Sequence, residues 1–344
     1  MRDGRRGALV AAVLVASVVP LSGPAWAAPA WAAQTRAAEC VPGTDFDGDR
    51  CGDVVVADPD ADVGGVSRAG RLTVVYGGES GARPVLIQGS AGVGDLAEPG
   101  DRFGAVVRAT RIDSDGYDDL VVAVPSESVG GADDAGVVHV IFGSDQGLGG
   151  GRGGMILRQG AYGIPGAPEA GDGFGASIAV NTTDSEGSAS PAIAYGVPGE
   201  DLGSVSDAGL AGLVAFDATT GDVALTRDIS QNSPGISGQA EPGDRFGGAV
   251  EVFRGPGGFG CSSGPALGYT LVAGVPGEDL GSIRDAGLVH VARGLTTDFP
   301  LSQDTAGVRR SRRAGRSVRR ESRAAVLVRA RRTVARDAGG RRTR

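Results

Sequence analysis

The chain has 344 residues, 61 of them glycine, and it contains no lysine. Its formal charge of −8 hides a split: three Arg and one Asp lie in 1–33, fifteen Arg and two acids in 307–344, and 15 basic against 38 acidic residues in between, a net of −23. A body this acidic repels nucleic acid and anionic membrane, which excludes both as partners, and it suits cation binding and solubility outside the cell.

In chain order, the first element is a secretory signal over 1–33. Arg2, Arg5 and Arg6 form a basic start, residues 8–19 an apolar run, and small residues with an A-x-A pattern follow at Ala25-Trp26-Ala27 and around 30–33. A membrane anchor needs ~20 apolar residues, and Pro20 and Pro24 interrupt this run early. The expectation is an exported protein, secreted and not integral to the membrane. In that compartment Cys40 and Cys51 are placed to close a short disulfide loop, which leaves Cys261 over. No Cys/His cluster has zinc spacing.

Next comes the loop DFDGDRCGD, with Asp45, Asp47, Asp49 and Asp53 at positions 1, 3, 5 and 9. Calcium takes six to eight hard oxygens, and alternate residues of a tight loop turn several toward one centre. Gly48 permits the bend, and Cys51, at position 7, has a backbone carbonyl to offer. The alternative is a solvated acidic turn, but four carboxylates converge poorly without a cation. Calcium is the predicted ligand.

The rest of the body is a repeat. EPGDRFG at 98–104, EAGDGFG at 169–175 and EPGDRFG at 241–247 are one motif, with Phe103, Phe174 and Phe246 spaced by 71 and 72 residues. Each copy continues into a strand-like run ending in Val-Pro (Val124-Pro125, Val197-Pro198, Val275-Pro276), then an Asp-Ala-Gly turn at Asp134, Asp207 and Asp285. GRLTVVYG, GVVHVIFG and GLVHVARG read as the following strands, and a short apolar run closes each unit. Each unit offers about four short strands between Gly, Pro and Asp turns. Radial repetition of four-stranded units predicts an all-β propeller; a β-sandwich leaves the ~72-residue period unexplained.

The acidic loop degrades along the chain. In the second copy, RIDSDGYDD, Asp113, Asp115 and Asp119 hold positions 3, 5 and 9, but Arg111 stands at position 1, so calcium is expected to bind weakly there or not at all. The third keeps Asp184 and Glu186, with Ser188 and Ala192 at positions 5 and 9, and the fourth has lost its acids.

Phe-Gly, an acidic loop and Gly-Val-Pro (Gly196-Val197-Pro198, Gly274-Val275-Pro276) recur in order over roughly 40–306, and in this they resemble FG-GAP repeats. Such repeats build the seven-bladed propeller of integrin α chains and of many bacterial exported proteins. The resemblance implies calcium in the loops of one face and a ligand, an extracellular protein or glycan, on the other. It thus suggests a ligand-binding or cell-adhesion module. Related propellers also accompany phospholipase D-type hydrolases, so a phospholipase- or esterase-like enzyme is the alternative, and structural padding a third. Seven blades need about 500 residues at this period, and the chain holds about four.

Catalytic machinery is not visible. His139 and His290 occupy one strand position in two repeats, which suits packing better than catalysis, and no G-x-S-x-G or H-E-x-x-H motif occurs. From 307 the repeat stops and arginine dominates. A basic anchor is one explanation. A displaced reading frame is preferred: shifting it by one base from Ala314 admits codons spelling PGDRFGAS, in register with the repeat. The tail is then expected to be unstructured, and the incomplete propeller to be an open arc with an unprotected edge.

Overall fold

A computed structural model describes residues 40–78, 82–181, 190–254 and 268–308. The expected secretory signal over 1–33, the third and fourth loops (182–189 and 255–267), Cys261 and nearly all of the arginine-rich tail lie outside them.

The described residues are all β. The first sheet orders β1 (Val54–Asp58), β2 (Arg71–Val75) and β3 (Val85–Leu86). The second orders β4 (Val106–Thr110), β5 (Asp119–Val124), β6 (Val137–Ile141) and β7 (Met155–Leu157). The third holds β8 (Ser177–Asn181), β9 (Ala192–Val197), β10 (Leu210–Phe216) and β11 (Val223–Ile229). The fourth holds β12 (Ala249–Arg254), β13 (Tyr269–Val275), β14 (Leu288–Arg293) and β15 (Thr297–Leu301). Every pairing is antiparallel between sequence neighbours, and β4, β8 and β12 pack side by side as the first strands of adjacent blades. This is part of a β-propeller, as the repeat predicts.

Alternation explains why the middle strands carry apolar residues on both faces. In β5 all six residues are buried. Leu120, Val122 and Val124 enter a core with Leu72, Val74 and Phe103, whereas Val121 and Ala123 enter another with Phe174, Ile193, Tyr195 and Val197. Side chains of a strand point to opposite faces in turn, so each blade contributes one face to each neighbour. The third core, between the last two sheets, unites Ala194 and Leu213 with Phe246, Leu271 and Ala273. Burying a side chain of this size contributes roughly 1.5–3 kcal/mol, and these contacts hold blade to blade.

The repeated motifs are the joints. Phe103, Phe174 and Phe246 are fully buried, and their N–H groups donate to the carbonyls of Ala69, Ala135 and Ala208 in the turn of the preceding blade, at 2.8, 2.8 and 2.9 Å. That turn requires glycine. Gly136 has φ +86°, and a Cβ there would stand 2.5 Å from the Phe174 nitrogen. The Asp-Ala-Gly turn is therefore the seat for the next Phe-Gly backbone.

Antiparallel order also sorts the connections. The β4–β5 and β6–β7 loops lie at one end of the blade, and the β5–β6 loop and the linker to the next blade lie at the other. The acidic loops belong to the first end. Among the described residues β1 pairs only with β2, and Val54 and Val56 are more than half exposed, so this edge is open as expected.

Candidate metal centre

The first acidic loop curls around its own carboxylates. Gly48, at φ +79°, makes the bend. Asp45 Oδ1 accepts the Gly48 N–H at 2.7 Å and Oδ2 the Arg50 N–H at 2.9 Å. Asp47 Oδ1 accepts from Asp49 N at 3.2 Å, and Asp49 Oδ1 from Cys51 N at 2.7 Å. The result gathers one carboxylate oxygen from each of Asp45, Asp47 and Asp49 within 4.8 Å of one another. Burial, then the neighbouring charges of Asp49 and Asp45, push the Asp47 carboxyl up against its amide bond. Like charges so crowded favour protonation or a bound cation. An all-oxygen donor set suits calcium.

Asp53 is outside this close-set group. It is buried, its Oδ2 accepts Phe46 N at 2.7 Å and its Oδ1 accepts Gly77 N at 2.8 Å, so it pins the loop to the end of β2. Each oxygen keeps a second lone pair for a cation. Cys51 is bonded to Cys40, as the sequence suggests, leaving its backbone carbonyl as its hard donor. The Gly52 N–H to Val41 carbonyl bond at 2.8 Å runs beside this staple.

The second loop repeats the scheme with a different outcome. Asp113 Oδ1 accepts Asp115 N at 3.2 Å and Asp115 Oδ1 accepts Tyr117 N at 2.9 Å. Asp119 takes Ile112 N and Gly143 N at 2.7 and 3.0 Å. Burial raises Asp119 to about 7, its two amide bonds opposing and Asp113 and Asp115 adding to the rise. The three acids do not form a close-set group. Arg152 supplies a positive charge instead, with Nη1 3.5 Å from Asp113 Oδ2 and its guanidinium 4.0 Å from the centre of the Phe142 ring. It also donates to the Thr220 carbonyl and reaches Asp222 Oδ1 at 3.4 Å, tying the second blade to the third. Arg111, at position 1, turns to Asp118 Oδ1 at 3.0 Å. Asp118 Oδ2 in turn accepts the Asp45 N–H at 2.9 Å, so the first two loops are clipped together. Of the third loop's positions 1, 3, 5 and 9 only Ala192 is among the described residues, buried as the first residue of β9, where the first two copies have a carboxylate.

A further acidic group lies at the opposite end. Glu98, Asp101 and Glu127 bring carboxylate oxygens within 4.8 Å of one another. Gln88 Nε2 donates to Glu127 Oε2 at 2.5 Å. Burial, helped by Asp101, pushes Glu127 up to about 8, and burial pushes Asp101 up to about 6. Only an alignment of the copies hints at it: Gln159 donates to Glu200 and Gln231 to Glu278 at the later joints.

The histidines are packed inside. His139 stacks edge-on against Phe103 at 5.5 Å, and burial lowers it to about 4, so it is neutral. His290 Nδ1 lies 2.7 Å from Asp298 Oδ2 and its ring is 5.2 Å from Phe246.

Known proteins resemble part of this chain. Phosphatidylinositol-glycan-specific phospholipase D of Mus musculus is 34% identical over 104 residues, 30% of this chain and 12% of that protein. The Rattus norvegicus protein is 34% identical over 106 residues, 30% and 13%, and that of Bos taurus 31% over 115, 33% and 14%. The chain thus spans only about an eighth of the length of these relatives. The FG-GAP repeat family profile matches residues 103–141, from the buried Phe103 through the second acidic loop to the end of β6. That match falls on one blade of a repeated, propeller-like architecture, and residues 103–141 are an FG-GAP repeat.

Proposed function

We propose that this protein is an exported, calcium-stabilised propeller module that binds an extracellular protein or glycan. The convergence of Asp45, Asp47 and Asp49 within 4.8 Å carries the proposal. Asp53 and the Cys51 carbonyl complete the donor set, while Asp113, Asp115 and Asp119 bind calcium weakly because Arg152 already neutralises that loop. The Cys40–Cys51 bond supports an oxidising compartment. Among the described residues no helix is long and apolar enough to cross a membrane. In this scheme 1–33 is the export signal, 40–306 the propeller portion and 307–344 a displaced reading frame. The ligand surface is the end opposite the acidic loops, as the resemblance to FG-GAP repeats implies.

Calorimetry of the secreted chain tests the calcium assignment. Calcium at about a hundred times its dissociation constant should stabilise the fold by ~2.7 kcal/mol, and Asp47→Asn should reduce the rise in Tm. An unchanged wild-type Tm between calcium and chelator would overturn the assignment. A propeller accompanying a hydrolase is the second possibility, favoured by the phospholipase D relatives. Release of a phosphatidylinositol-glycan-anchored protein by the purified chain would establish it.

A further inference from the structure

The acidic group at the joint of the first two blades is independent of the loops, and its surroundings point to a ligand. Glu98 and Asp101 sit in the linker from β3 to β4, on a turn where Asp101 Oδ2 accepts the Glu98 N–H at 2.5 Å. Glu127 follows β5 in the next blade, and Gln88 follows β3 in the previous one. Asp101, Glu127 and Gln88 are buried, at 2%, 1% and 3% exposure, whereas Glu98 faces solvent. Among the described residues no arginine or histidine forms an ion pair with any of the three acids. Asp95 is a further acid close enough to raise both buried carboxyls.

Gln88 supplies the second observation. Its carboxamide is docked on Glu127 through Nε2, yet Oε1 of that same buried amide has no partner. A buried carbonyl oxygen is costly unless something electropositive meets it. The side chain that holds this amide through Nε2 is a carboxylate, which offers no positive charge. Three gathered carboxylates, with a carboxamide bonded to one of them, offer a hard, all-oxygen set of the type calcium accepts, with water free to complete it from the side of Glu98.

We propose that Glu98, Asp101 and Glu127, with the Gln88 carboxamide, bind a divalent cation of the calcium type between the first and second blades, at the end opposite the acidic loops. The cation joins a linker that leaves one blade to a loop of the next, so it locks their relative orientation. Glu169, Asp172, Glu200 and Gln159 repeat the residue types at the second joint, and Gln159 Oε1 is likewise unpartnered. Their carboxylates are not gathered as closely, so the first joint holds the tightest site.

The test uses the full secreted chain and calcium alone, followed by isothermal titration calorimetry. In a background of Asp45→Asn, Asp47→Asn and Asp49→Asn, which disables the first loop, calcium binding should persist. Adding Glu98→Gln should then weaken it at least tenfold, and Glu127→Gln should abolish it. Because Glu98 is exposed, its variant keeps the fold and decides the matter if Glu127→Gln does not fold. Unchanged binding after Glu98→Gln, or a folded triple variant that binds no calcium, would overturn the inference. Failure of the loop assignment gives a different result: wild type and the triple variant then bind calcium alike.

Discussion

Arg152 Nη1 stands 3.5 Å from Asp113 Oδ2, so the second acidic loop carries a counter-charge from its own chain. A guanidinium cannot be deprotonated in a protein, and here it is also held by the Phe142 ring and the Thr220 carbonyl. The loop with Arg111 at position 1 thereby carries a positive charge of its own where calcium is proposed to bind.

Removing that charge should restore metal dependence. Arg152→Gln is expected to cost roughly 1 kcal/mol without calcium, as for a partly exposed ion pair with its hydrogen bond. It should also enlarge the calcium-dependent rise in Tm, because Asp113, Asp115 and Asp119 are then uncompensated. Thermal unfolding of both proteins with calcium and with chelator measures both effects. An identical calcium response would show that Arg152 does not occupy the cation's role.

The blade joint provides a stability test with an internal control. Gly136→Ala drives a Cβ to 2.5 Å from the Phe174 backbone nitrogen, whereas at Gly287, the same turn of the last described blade, the nearest atom would be 3.6 Å away. Both glycines have positive φ, +86° and +79°. Gly287→Ala should therefore cost only the backbone strain, about 1 kcal/mol, and Gly136→Ala appreciably more, about 3 kcal/mol, the scale of overpacking added to strain. Urea unfolding of the two variants compares them. Equal losses would mean that the seat for Phe-Gly yields without cost.

Stability should fall with rising pH, in part through Glu200. Burial raises this carboxyl to about 7 from 4.5, with Asp172, Glu169 and Asp228 adding to the rise and the Gln159 amide opposing it. The folded state keeps a proton that the unfolded chain releases above 4.5. The contribution is thus complete below pH 4.5 and lost as pH climbs through about 7. Glu200→Gln should flatten the stability profile between pH 5 and 7 by up to about one proton's worth of slope. Tm measured across that interval in chelator reads it, and an unaltered slope would place the titration elsewhere.

Much of the fold is legible in the sequence because its signals are local and repeated. Gly, Pro and Asp turns at a fixed period mark the strands, and Asp45, Asp47 and Asp49 meet because one tight loop with Gly48 brings alternate residues together. Cys40 and Cys51, eleven residues apart, pair for the same reason of proximity. The role of Asp53 is less legible. Its place at position 9 makes it an expected ligand, but of the amides that fill its oxygens only Phe46 belongs to the loop, and Gly77 lies beyond β2.

What the sequence by itself determined was the blade: the period, the order of strands, the acidic loop and the turn glycines, all set by residues within one repeat. What only the tertiary structure decided was everything between blades. Arg152 of the second blade reaches Asp222 of the third across a separation of 70, and Gln88 meets Glu127 across a joint at a separation of 39. No spacing rule links such residues, because their proximity depends on how neighbouring sheets stack. Alternate side chains of β5 enter two different cores, and that packing brings one blade's amide and guanidinium to the next blade's carboxylates.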